Sequence, residues 1–123
     1  MNNKDFHISD ILSITTGRLV STSGMNGIYN ILNHMENDSL TTIGITIVKD
    51  KHTATLDSLY PQFSENSLKV ELQELDKSLD TTTNTEQAVK EWVEKLENQF
   101  GSYFSVPQQQ LTTDISKTTK LKF

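Results

Sequence analysis

Apolar residues recur at helical spacing in four stretches of the chain. In the first, Ile8, Ile11, Leu12 and Leu19 share one face, with Thr15 where the next apolar residue would fall. Ser9 or Asp10 can cap that helix, and Gly17 predicts a weak or bent last turn before Arg18. Ser21 to Gly24 reads as a loop, with Ser23 as a cap for the second helix. Ile28, Ile31, Leu32 and Met35 then give i, i+3, i+4, i+7, and Glu36-Asn37-Asp38 closes the helix. Two short helices joined by a few residues predict a helical hairpin over 8–36.

Leu40 to Val48 is rich in β-branched residues and alternates Ile43, Ile45 and Ile47 with smaller ones, which predicts a strand over 40–48. Ala54, Leu56, Leu59 and Tyr60 suit a short helix over 53–60, ended by Pro61. Leu68, Leu72, Leu75 and Leu79 form a helical seam. Leu68, Val70 and Leu72 also alternate with period two, so helix and strand both remain open for 62–80. Thr83 and Glu86 have the form of a capping box, and Val89, Trp92, Val93, Leu96 and Phe100 line a helix over 85–100, followed by Gly101. Glu91 and Lys95 suit an i, i+4 pair on its wet face. Ser102 to Val106 alternates and predicts a second strand. Residues 1–7 are polar and expected to fray. The expected fold is α+β, with about four helices and a small antiparallel sheet or hairpin from 40–48 and 102–106. The N-terminal helical hairpin is expected to pack on the helix 85–100. Residues 1–107 form one compact domain in this reading, and 108–123 form a polar C-terminal tail, flexible alone or ordered by a partner.

Composition narrows the function classes. A hydrophobic fraction of 34% in 123 residues gives one domain with a thin core, which a homo-oligomer would relieve. A formal charge of −5 argues against general nucleic-acid binding and against an anionic membrane surface. The absence of cysteine excludes disulfides, zinc–thiolate sites and thiol catalysis. The opening MNNKDFHISD lacks the apolar run of a signal peptide, and no stretch is long enough to span a bilayer, so a cytoplasmic protein is expected.

The most chemically pointed stretch is Thr15-Thr16-Gly17-Arg18. Two hydroxyls, a backbone open to close approach and a planar guanidinium suit a phosphate or carboxylate, and Arg18 is the sole arginine of the chain. Tyr29, beside the second helix's apolar stripe, is placed to stack on a base in a pocket next to Arg18. The plainer alternative has Thr15 bonding back into its helix while Arg18 lies on the surface or pairs with an acid. Glycine spacings of a phosphate loop or dinucleotide fingerprint are absent. His7, His34 and His52 lack metal-ligand spacing, so no metal and no cofactor are expected. No set of acid, base and nucleophile stands out, and a non-catalytic protein is expected.

The segment HISDILSITTGRLVS, followed by GIYNILNHMENDSLTT, resembles the opening of a widespread group of small phage and prophage proteins. The shared positions are Ser9, Asp10, Leu12, Ser13, Thr15, Thr16, Gly17, Arg18 and Leu19, then Gly27, Ile28, Tyr29, Ile31, Leu32 and Met35. A looser likeness returns at Phe100-Gly101-Ser102-Tyr103. The chain departs from the group after Leu40, where Thr42-Ile-Gly-Ile-Thr replaces a Thr-His-x-Leu-Pro run. The resemblance implies a phage accessory protein working in the cytoplasm of an infected bacterial host. Within that context two activities are expected. One is sequestration of an anionic, nucleotide-type host immune signal by Thr15, Thr16, Gly17, Arg18 and Tyr29. The other is inhibition of a host defence protein, such as a CRISPR nuclease, by direct binding. A structural accessory role is the plain third.

Overall fold

A computed structural model describes residues 3–37 and 42–108. Its order is strand β1 (Asn3–His7), helices α1 (Ile8–Thr16), α2 (Met25–Glu36) and α3 (Thr42–Leu59), a 3₁₀ turn (Pro61–Phe63), helices α4 (Lys69–Thr81) and α5 (Thr85–Phe100), and strand β2 (Tyr103–Pro107). The fold is α+β, with five α-helices and a two-stranded antiparallel sheet among the described residues. The expected tail falls outside them, apart from Gln108.

The sheet is not the one the pattern predicts. Strand β2 is present, but its partner is β1, in the register Asn3↔Pro107 through His7↔Tyr103. Residues 3–7 are therefore fixed, with Phe6 buried on the core side. The amide of Ile8 continues the ribbon by donating to the carbonyl of Ser102 at 2.8 Å.

Residues 42–48, expected as a strand, are the first turns of α3. Ile45, His52 and Leu56 are its buried positions, a helical stripe and not an alternating one. Residues 49–59 carry no strand signal, and helix growth from them adds one hydrogen bond per residue, so the β-branched run is carried along. Propensity yields here to the length of the element. Residues 62–80, where helix and strand patterns compete, are the end of the 3₁₀ turn and α4.

The helical hairpin forms as expected. It meets α5 through α1, while α3 provides its larger neighbour, lying against both α1 and α2. α4 and α5 form a second hairpin. Three caps differ from expectation, the one at α2 being Gly24, without a side-chain bond, in place of Ser23. α1 is capped by His7, whose ring accepts from the amide of Ser9, and α5 by Asn84, whose Oδ1 accepts from the amide of Gln87 at 3.1 Å. Asn84 lies one residue closer to the first turn than Thr83 and, as the N-cap, accepts from the amide of Gln87 in that turn. Lys95 reaches across to Glu74 on α4 at 2.8 Å, so the expected pair with Glu91 is replaced by an interhelical one. The core runs from Ile11, Leu12 and Leu32 through Leu56 and Phe63 to Leu75 and Leu96, all buried.

Candidate functional site

The Thr-Thr-Gly-Arg step ends α1 and reverses the chain. Gly17 adopts φ 72°, ψ 15°, the left-handed conformation that lets the backbone turn back on the helix without a Cβ clash. Beyond it an extended segment is laid antiparallel along α1, held by a ladder of hydroxyls. Thr16 Oγ1 accepts from the amide of Arg18 at 3.3 Å, Ser13 Oγ from Val20 at 3.0 Å, and Ser9 Oγ from Thr22 at 3.1 Å. Each hydroxyl also has an outlet for its own proton. Thr16 donates to the carbonyl of Leu12 at 2.6 Å, Ser13 to that of Ser9 at 3.0 Å, and Ser9 to His7 Nδ1 at 2.8 Å.

The spacing explains why these residue types stand where they do. Positions 9, 13 and 16 fall on one helical face, about 5–6 Å apart, and every second amide of an extended chain repeats at about 6.6 Å. The two rulers agree closely enough for three successive rungs. A further tie fixes the end of the loop: Ser21 Oγ donates to Asp10 Oδ1 at 2.5 Å and accepts from the amide of Ser23 at 3.2 Å. Gly27 on α2 faces this tie so closely that a Cβ there would overlap Ser21 Oγ and Asp10 Oδ1.

Arg18 leaves the ladder and crosses to α4. Its Nε donates to Asp76 Oδ1 at 3.0 Å and its Nη2 to Asp76 Oδ2 at 2.8 Å, a two-pronged pair. Nη1 donates to the carbonyl of Thr16 at 3.1 Å and lies 3.5 Å from Glu65 Oε2. Hydrogen bonding to Asp76 raises the pKa of the guanidinium, and the same bond holds the Asp76 carboxyl below the usual carboxylate range. A cleft of about 350 Å³ opens beside the pair, lined by Arg18, Glu65, Asn66, Lys69, Leu72, Gln73 and Asp76. Its two cations are matched by its two carboxylates.

The structure thus brings Thr15, Thr16, Gly17 and Arg18 to one helix end, but gives them separate employment. Thr16 and Gly17 build the reversal, and Arg18 is engaged with acids, as in the plainer alternative. Thr15 is 3% exposed and does not bond back into its helix: among the described residues its Oγ1 has no partner. Tyr29 is not among the residues lining the Arg18 cleft. It packs, partly buried, against the core. A buried hydroxyl without a partner carries its desolvation penalty unrelieved. Replacing Thr15 by valine, which keeps the shape, is therefore expected to stabilise the protein by about 1 kcal/mol, read from the denaturation midpoint. A destabilisation of similar size would mean that Thr15 Oγ1 serves a bound group.

A second cluster has the residue types of a hydrolase row, arranged as a helix cap. Ser9, His7 and Glu97 stand in a row, with His7 Nε2 at 3.1 Å from Glu97 Oε2. Ser9 is fully buried, its proton goes to His7 and its lone pair is occupied by the Thr22 amide. No substrate carbonyl can reach that oxygen, so the row is a helix cap extended to α5. Sequence reasoning missed Ser9 and Ser13 as rungs, although their i, i+4 spacing with Thr16 at i+7 is visible. Asp76 and Glu65 carried no such signal, being 58 and 47 residues from Arg18.

Among the described residues no group of three or more potential ligands is placed to hold a metal ion, and no helix is long and apolar enough to cross a membrane. No curated protein and no solved structure matches the chain. Residues 6–65, just under half of the chain, match the family model of a domain of unknown function, DUF7736, which spans the ladder, the reversal and α3 but ends before α4.

Proposed function

We propose that this is a phage-encoded accessory protein that acts by binding and without catalysis, and that its partner is a host defence protein. The observation that carries the choice of a protein partner is the outer face of α3. Ile43 and Ile47 lie one turn apart and are each 74% exposed, on the side opposite the buried Ile45, His52 and Leu56. A helix apolar on both sides is suited to lie between two layers, and this chain supplies one of them. Asp50 and Ala54 extend the same face, both exposed. A fitting partner presents an aliphatic groove with a basic rim, which suits Asp50 and the net charge of −5. The resemblance to phage proteins supplies the host-defence context.

Sequestration of an anionic nucleotide is the second reading, favoured by the cleft that Arg18 and Lys69 line. It ranks lower because an incoming phosphate would have to displace Asp76 and Glu65 from Arg18, in a cleft with no excess positive charge. Thermal shift with cyclic nucleotides and ADP-ribose separates the two. No shift is expected in the wild type or in Arg18→Ala. A stabilisation of several degrees that vanishes in Arg18→Ala would reverse the ranking. For the protein reading, binding to candidate host nucleases should be lost in the double variant Ile43→Asp/Ile47→Asp with the denaturation midpoint retained. Undiminished binding by that variant would remove the α3 face from the account.

A further inference from the structure

The first half of α3 buries few of its side chains. Over 43–50 only Ile45 is buried, and the sequence there combines β-branched residues with Gly44, all weak helix formers. A polar tie to α2 comes at the middle of the helix. His52 is 4% exposed, and its Nε2 lies 3.2 Å from Glu36 Oε1 in the last turn of α2. Lys51 Nζ donates to both oxygens of the same carboxylate, at 2.6 Å and 3.1 Å. A small cavity of about 230 Å³ adjoins the group, lined by Met35, Lys51, His52, Thr55, Pro107 and Gln108.

We propose that the Glu36–His52–Lys51 cluster is a pH-sensitive fastener that holds the first half of α3 against α2 and loosens as the surroundings acidify. The cluster has one carboxylate and two basic groups competing for it. At neutral pH Lys51 carries the charge and the neutral imidazole donates its proton to Glu36. A second positive charge on His52 would be created in a buried place, next to Lys51, with its counter-ion already engaged. Among the described residues, the charged groups facing His52 are Glu36 from α2 and Lys51 from α3. The end of β2 presents Pro107 and Gln108, which carry no charge.

The direction comes from the same geometry. Burial pushes the imidazole below its ordinary value of 6.5, attraction to Glu36 opposes this in part, and Lys51 adds to the lowering. A group whose folded pKa is depressed in this way resists a proton that the opened segment accepts. The stabilisation is complete above about pH 6.5 and is lost as pH falls below it. Glu36, held below its ordinary 4.5 by Lys51 and His52 against the opposing effect of burial, adds a further loss only in stronger acid. Between those values the response belongs to His52.

Amide exchange by NMR, corrected for the intrinsic effect of pH, tests this on the full chain. Between pH 7.0 and 5.5 the protection of amides at 45–52 is expected to fall by up to about tenfold per pH unit below 6.5, while amides at Ile11 and Leu12 keep theirs. In His52→Gln the fall should disappear. Flat protection in the wild type, or an equal fall in the variant, overturns the proposal, since the second result would assign the response to His7 or His34. Should His52→Gln fail to fold, the ring protons of His52 in the wild type decide instead. A titration midpoint below 6.5 supports the fastener, and one at or above 6.5 overturns it.

Discussion

Replacing Phe63 by alanine is expected to cost about 3–5 kcal/mol, the largest single-residue effect in this chain. The ring is fully buried in the 3₁₀ turn after α3 and meets three others. It stands edge-on to Phe100 of α5 at 5.2 Å and to Phe104 of β2 at 5.0 Å, and tilted to Tyr60 at 5.8 Å. Removing it takes away at once the ring contacts that join the end of α3 to α5 and to the sheet. A domain of this size has about 5–15 kcal/mol of total stability, so the variant should be near half-unfolded at body temperature in the less favourable case. Urea denaturation should show a lower midpoint with an unchanged slope. A loss below about 1.5 kcal/mol would mean that the aromatic group repacks and is no junction.

Gly27→Val is the second large effect, expected to cost about 2–3 kcal/mol. The glycine lies in the first turn of α2, against the Ser21–Asp10 tie, and any Cβ displaces that hydrogen bond. Alanine should cost less than valine, because it recovers about 1 kcal/mol of helix propensity while breaking the same bond. The diagnostic is a double-mutant cycle with Ser21→Ala. Once the hydroxyl is gone, Gly27→Ala should be tolerated far better than in the wild type. Additive losses would show that the crowding is not between these two residues.

The two variants mark the limits of what the sequence discloses. The helical stripes of α2 and α5 were legible because their buried residues repeat at 3.6 on one side, with Asn26 and Asn30 on the other side of α2 and charges on that of α5. Phe63 was not, since it stands alone after Pro61 with no periodic neighbours, and its partners lie about forty residues onward in the chain. α3 was misread over 42–48 because its outward isoleucines, Ile43 and Ile47, complete an alternation that its inward Ile45 begins. Helical apolar spacing on two faces and strand alternation on one cannot be told apart over seven residues. The Thr-Thr-Gly-Arg step stands out in the sequence, and in the structure Thr16 and Arg18 are engaged within the chain. Its hydroxyls and glycine serve a backbone reversal, and the acids that engage Arg18 are distant in sequence. Local patterning shows that a residue is constrained; it does not show by what.

The β1–β2 ribbon has a consequence for the order in which the molecule assembles. It joins Asn3 to Pro107, so nearly the whole described chain is a loop between its strands. Closing a flexible loop of that length costs roughly 4 kcal/mol in chain entropy, more than five short pairs of residues can offset alone. The hydroxyl ladder spans at most 13 residues and can form while the rest is still unfolded. Once the helices have packed, the two strands are already neighbours and their pairing is nearly free of that cost. The ribbon is therefore expected to be the last part of the fold to close and the first to open, a clasp whose hold is lent to it by everything it encloses.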